Sequence, residues 1–181
     1  MSDPPSTGPF APGQCPSDDW SCFAGNDVLL VLNTGEESLS LDNLQFKQKT
    51  CLIYSENVTL GRDLALPGKN LGIFCCSFQL LSSNATISVS GQSGDPGIPV
   101  VEGKPNPGKD GMLAGTIWLY VEEMSESLAR SLKLVADGGD GGSGGLTNDL
   151  NNPTGGAGGA GQDGGGLSSK LAAQIGRLCQ C

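Results

Sequence analysis

The chain reads as mainly β: a short parallel β-solenoid, or alternatively an antiparallel β-sandwich, carrying glycine-rich segments of polyglycine-II type and a short C-terminal helix. Three observations predict this. Short alternating apolar runs fill residues 26–90, and equivalent runs recur at intervals of about 20 residues. Glycine falls at every third position in Gly91, Gly94 and Gly97, and again at Gly155, Gly158, Gly161 and Gly164. A polyproline-II-type helix has three residues per turn, so this spacing leaves one face without side chains. Finally, Leu167, Leu171, Ile175 and Leu178 follow helical spacing.

In chain order, residues 1–25 are rich in Pro, Gly, Ser and Asp and predict an extended N-terminal arm, pinned by Trp20, Phe23 and a Cys15–Cys22 bridge. Residues 26–166 predict a β-rich domain with glycine-rich excursions at 91–115 and 137–166. Its strand-like runs are 28–32, 39–41, 44–46, 51–54, 58–60, 64–66, 73–76, 78–80 and 87–89. The run 58–60 sits one interval before 78–80, and 64–66 one interval before 87–89. One coil of a solenoid buries its apolar face only when the next coil stacks on it. Short strands with frequent turns also suit a sandwich. The turns, such as Asn33-Thr34-Gly35 and Pro67-Gly68-Lys69-Asn70, are not the two-residue Asn-Gly type of hairpins, which favours the solenoid.

The first excursion is not collagen, because Val100 stands where the triplet requires glycine. Residues 116–121 and 131–136 return to strand character, with a short acidic helical insertion between them. The second excursion keeps strict triplet phase, which a flexible linker does not need. Residues 167–181 predict an amphipathic helix and a Cys-tipped tail. Gly176 weakens that helix, and its length is marginal without a docking partner, so Leu167, Leu171, Ile175 and Leu178 are the candidate assembly residues.

The chain has 181 residues, 29 of them glycine, and only 5% aromatics, which argues against an ordinary enzyme core. A net charge of −9 argues against nucleic acid and anionic membrane surfaces as partners. No apolar run is long enough to span a bilayer, and the N-terminus carries no secretory signal pattern. The seven cysteines, Cys15, Cys22, Cys51, Cys75, Cys76, Cys179 and Cys181, are the disulfide candidates and point to an extracellular or oxidising compartment. Some of them would instead be small buried residues. Cys75 and Cys76, as strand neighbours, should face opposite ways.

The chain has no histidine, which excludes Ser-His-Asp and Cys-His catalysis and His-ligated metal sites. Asp63, Glu56, Glu36 and Glu37 are acid–base candidates by type alone and read better as solvated turn charge. Gly138-Gly139-Asp140-Gly141-Gly142-Ser143 has serine where a calcium-binding nonapeptide needs aspartate. No catalytic residue, cofactor or metal ligand is predicted. Asn57-Val58-Thr59 and Asn84-Ala85-Thr86 make Asn57 and Asn84 candidate N-glycosylation sites, both placed at strand beginnings.

The glycine triplets resemble those of the polyglycine-II bundles in springtail antifreeze proteins and phage tail-fibre adhesin tips. The resemblance covers residues 91–115 and 137–166. It implies packed three-fold helices and a binding face, which Val100, Val101 and Met112 interrupt in the first segment. The strand rhythm is similar to that of β-helical surface proteins and polysaccharide lyases, and no catalytic residue carries over. The expected function is a structural, self-assembling protein that forms a fibre or coat through its arm and tail, with copies of itself as partners. An adhesin or ice-binding module that meets a surface or glycan is the alternative. A carbohydrate-active β-helix enzyme ranks third.

Overall fold

A computed structural model gives the fold and describes residues 20–33, 35, 37–99, 106–146 and 156–171. Among these residues, ten strands, a 3-10 turn and one α-helix follow one another: β1 (Trp20–Ala24), β2 (Val28–Asn33), β3 (Leu39–Ser40), the 3-10 turn (Leu41–Asn43), β4 (Thr50–Leu60), β5 (Leu64–Ala65), β6 (Asn70–Leu80), β7 (Ala85–Ser88), β8 (Ile117–Glu123), α1 (Glu126–Ser131), β9 (Leu132–Val135) and β10 (Leu167–Leu171). They form two sheets. The larger runs β1-β2-β4-β6-β8-β10, with β3 also on β4, and the smaller runs β5-β7-β9.

Apart from β1 on β2, every pairing is parallel. This is not the pairing of an antiparallel sandwich. Parallel neighbours need a crossover between them, and the long connections of this chain, the glycine-rich excursions among them, provide one. The sequence intervals hold as register: Val58 faces Phe78, and Leu64 faces Ile87.

Register also builds the core. Leu29, Cys51, Leu71 and Ile117 align across four strands, as do Val31, Ile53, Ile73 and Leu119, and all eight are buried. Fully burying such a side chain contributes about 1.5–3 kcal/mol. Period-two alternation turns the remaining residues outward, where Tyr54, Phe74 and Tyr120 stack with centroids 4.5 and 5.0 Å apart. These distances match the spacing between neighbouring strands, about 4.8 Å. Gly72 leaves room for this face, since a Cβ there would lie 2.7 Å from Leu52 Cδ2 and 3.0 Å from the Phe74 ring.

Two polar residues enter the core at one corner. The Asn33 amide donates to Ser55 Oγ (3.1 Å) and to the Glu37 carbonyl (2.7 Å), while Ser55 Oγ donates to the Asn57 carbonyl (2.8 Å). Satisfied in this way, they fix the turn after β2 at little cost.

Several expectations need correction. Residues 44–46 are not a strand. They form a loop whose Leu44 and Phe46 pack on the core, and Lys69 Nζ holds the loop by donating to the Phe46 and Lys47 carbonyls. The runs 51–54 and 58–60 are one strand, β4, so Asn57 lies inside a strand and not at its beginning. Residues 20–24 of the expected arm form an antiparallel strand on β2.

Leu167 and Leu171 do not begin a helix. They lie on β10, which pairs in parallel with β8. A helix that is marginal in isolation yields to a sheet edge that offers every backbone group a partner. Ile175 and Leu178 lie outside the described residues.

Candidate functional site: the glycine-rich bundle

The two excursions become four extended segments, 91–99, 106–115, 137–146 and 156–166. Their backbone hydrogen bonds repeat every third residue. The amides of Gly91, Gly94 and Gly97 donate to Asp137, Asp140 and Ser143 (2.7–2.8 Å), so the first and third segments run parallel. Gly139, Gly142 and Gly145 donate to Met112, Lys109 and Asn106, so the third runs antiparallel to the second. Gly156, Gly159, Gln162 and Gly165 donate to Gly145, Gly142, Gly139 and Ala136, again antiparallel. Gly108 and Gly111 donate to Ala157 and Ala160, which ties the second segment to the fourth in parallel.

Glycine is required at most of these positions because backbones touch. A Cβ on Gly91 would lie 1.8 Å from the Met112 carbonyl oxygen, one on Gly94 1.9 Å from that of Lys109, and one on Gly142 2.0 Å from that of Asp95. No side-chain shift relieves such a clash.

Gly158 and Gly161 are different. Among the described residues, a Cβ would meet nothing nearer than 3.5 Å at Gly158 and 3.9 Å at Gly161, and both residues are exposed. Gly164 continues the row at 3.1 Å from the Ala136 carbonyl oxygen. The row keeps the triplet phase, yet at Gly158 and Gly161 packing among the described residues does not demand glycine.

Between the glycines, side chains form outward ridges. Asp137, Asp140 and Ser143 line one ridge and are exposed. On another, Lys109 Nζ donates to Asp95 Oδ2 at 2.7 Å. This bond holds the Asp95 carboxyl below its usual range and the Lys109 ammonium above its own. On a neighbouring ridge, Asp110 Oδ1 accepts from the Ala160 amide (2.7 Å).

The bundle grows out of the sheets without a break. Val89 donates to Val135 as the β7–β9 ladder ends, and Gly91 to Asp137 is the next bond on the same pair of segments. On the return, the Gly108 and Gly111 bonds lead into Ile117 donating to Gly166, where β8 meets β10.

The sequence-predicted site residues do not converge. Asp63 accepts from the Thr86 amide (2.7 Å), Glu56 and Glu37 are exposed on separate elements, and Glu36 lies outside the described residues. Among the described residues, no group of three or more His, Cys, Asp or Glu could hold a metal ion. No helix among them is long and apolar enough to cross a membrane.

Cys51 and Cys75 are free, buried thiols, which corrects their place among the disulfide candidates. The register gives Cys51 Leu29 and Leu71 as neighbours, and gives Cys75 Ser55 and Val121, so neither has a thiol beside it. Burial pushes Cys75 up to about 12. It pushes Cys51 up to about 11, against a smaller opposing pull from Lys69. Cys76 is half-buried on the opposite face from Cys75 and is not a free thiol. Cys22 lies on β1, while Cys15, Cys179 and Cys181 lie outside the described residues.

What the sequence does not show is that Gly158 and Gly161 are spare. The phase of their row was legible there, but whether each glycine faces a neighbour or solvent is a property of the fold. No protein-family model, no curated protein and no solved structure matches the chain.

Proposed function

We propose that this chain is a structural building block that self-associates through its glycine-rich bundle. In this reading the two sheets are faces of a short β-solenoid and the four segments are polyglycine-II helices that extend its coils. The observation that carries the proposal is the exposed row of Gly158 and Gly161, in phase with the glycines that touch backbone elsewhere but with room for a Cβ. A glycine that no neighbour among the described residues requires, repeated in phase, suits a backbone-to-backbone contact with another three-fold helix. The same segment of a second copy provides one.

Alanine replacements test this directly. Gly158→Ala with Gly161→Ala should leave the monomer folded, because its own packing has space. Sedimentation and light scattering across a concentration series should show wild type associating and the double variant remaining monomeric. Equal association of the two proteins, or a wild type monomeric at every concentration, refutes the reading.

A further inference from the structure

Two sequons, Asn57-Val58-Thr59 and Asn84-Ala85-Thr86, are placed very differently by the fold. Asn57 lies inside the eleven-residue strand β4, paired with Ser77 on β6, and half-buried. Its carbonyl accepts from Ser55 Oγ at 2.8 Å, within the polar corner that fixes the turn after β2. Three carboxylates, Glu56, Glu122 and Glu123, line the same small depression.

Asn84 lies in the turn between β6 and β7 and is exposed. Its carboxamide has no hydrogen-bond partner among the described residues. Its carbonyl accepts from Ser82 Oγ at 2.8 Å, which holds the turn, while Thr86 N donates to Asp63 Oδ1 (2.7 Å). Both halves of the acceptor motif are therefore fixed by backbone contacts, with the reactive amide left in solvent.

The neighbourhood also suits a sugar. Ser82 and Ser83, just before Asn84, line a cleft of about 370 Å³ that reaches α1. Gln79, Ser125, Ser127 and Ser131 contribute further polar groups, over an apolar floor of Phe78 and Leu128. No charged side chain lines it. Hydroxyl and carboxamide walls exchange hydrogen bonds with a neutral polyol, and the apolar floor meets its C–H faces.

We infer that Asn84, and not Asn57, is an N-glycosylation site, and that the first sugar residue rests over the serine-lined cleft. In the transfer step Asn84 Nδ2 attacks the anomeric carbon of an oligosaccharide carried on a polyprenyl diphosphate. The N–C bond forms, the C–O bond to the diphosphate breaks, the diphosphate leaves, and one amide proton goes to the transferase's base. No oxidant or reductant is needed.

The full chain, secreted from a glycosylating yeast behind a cleavable leader, tests this by intact mass, glycosidase digestion and peptide mapping. One glycan, at Asn84, is expected. Asn84→Gln and Thr86→Ala should each lose it, Thr86→Ser should keep it, and Asn57→Gln should leave occupancy unchanged. Glycosidase removal should speed amide exchange in α1 and in the 81–84 turn. A glycan on Asn57, no glycan on Asn84, or α1 exchange unaffected by its removal overturns the inference.

Discussion

Replacing Gly142 with alanine should dismantle the bundle, while alanine at Gly158 should not. At Gly142 the new Cβ would lie 2.0 Å from the Asp95 carbonyl oxygen and 2.5 Å from its carbon. Ordinary contact begins at about 3.4 Å, so the first and third segments would have to separate by more than 1 Å. Three hydrogen bonds join those two segments: Gly91 to Asp137 (2.8 Å), Gly94 to Asp140 (2.8 Å) and Gly97 to Ser143 (2.7 Å). A separation of that size stretches all three past bonding range. At roughly 1 kcal/mol net each, and more for any group left dry, the loss is about 3–5 kcal/mol. At Gly158 the nearest atom is 3.5 Å away and φ is not positive, so alanine fits. There it should stabilise by about 0.4–1 kcal/mol through the unfolded state. Hydrogen exchange read by mass spectrometry separates the two outcomes. Gly142→Ala should expose the amides of Gly91, Gly94 and Gly97 while those of β4 and β6 stay protected. If Gly142→Ala exchanged like wild type, or Gly158→Ala lost the same protection, the backbone-contact argument would fail.

Three further outcomes rest on the buried thiols, the ring stack and Asp42. Cys51 and Cys75 have folded pKa values raised to about 11 and about 12, so above pH 9 the unfolded chain releases protons that the folded chain keeps. Stability is then fully present below pH 9 and lost as pH rises. Between pH 8 and pH 10 urea unfolding should show a loss of about 3 kcal/mol, at 1.36 kcal/mol per unit per thiol. Cys51→Ala with Cys75→Ala should flatten that slope. Phe74→Ala removes the middle ring of the Tyr54–Phe74–Tyr120 stack and should cost about 2–4 kcal/mol in chemical unfolding, from two ring contacts and lost burial. A double-mutant cycle with Tyr54→Ala should return a coupling of about 0.5–1.5 kcal/mol. Asp42 Oδ2 accepts from the Gly61 amide at 2.9 Å, so Asp42→Ala should cost about 1–2 kcal/mol in thermal unfolding while Asp42→Asn, which keeps an acceptor, costs less.

The strands were legible because alternation and interval survive any local rearrangement: Val58 over Phe78 and Leu64 over Ile87 could be read from spacing alone. What was not legible depended on partners. The loop at 44–46 looks like a strand in sequence, but Lys69, more than twenty residues on, holds it as a loop. The stretch from Leu167 has both a helical period and β-compatible residues, and only the open edge of β8 decides between them. Cys51 and Cys75 carry no mark that separates a core thiol from a bridging one. Their register neighbours, Leu71 and Val121, make that distinction.

The junction at Ser90–Gly91 shows why the glycines can come in blocks on a β scaffold. The parallel contact between β7 and β9 does not end there; it changes period. Up to Val89 the chain bonds its neighbour in the β pattern, and from Gly91 it does so every third residue on the same partner. On the polyglycine-II reading proposed above, the ladder passes from an extended strand to a three-fold helix of nearly the same rise per residue, about 3.3 and 3.1 Å, with little strain. On that reading the side-chain direction changes, from two faces to three. A third face allows contact with a third segment, and that contact needs glycine because it is backbone on backbone. Each excursion goes out and back as one layer, with 91–99 and 106–115 beneath 137–146 and 156–166, just as β7 and β8 lie beside β9 and β10. Stacking rules set by the sheets therefore extend into the bundle. The exposed row at Gly158 and Gly161 lies on the last of these layers, beyond which this chain supplies no further segment among its described residues.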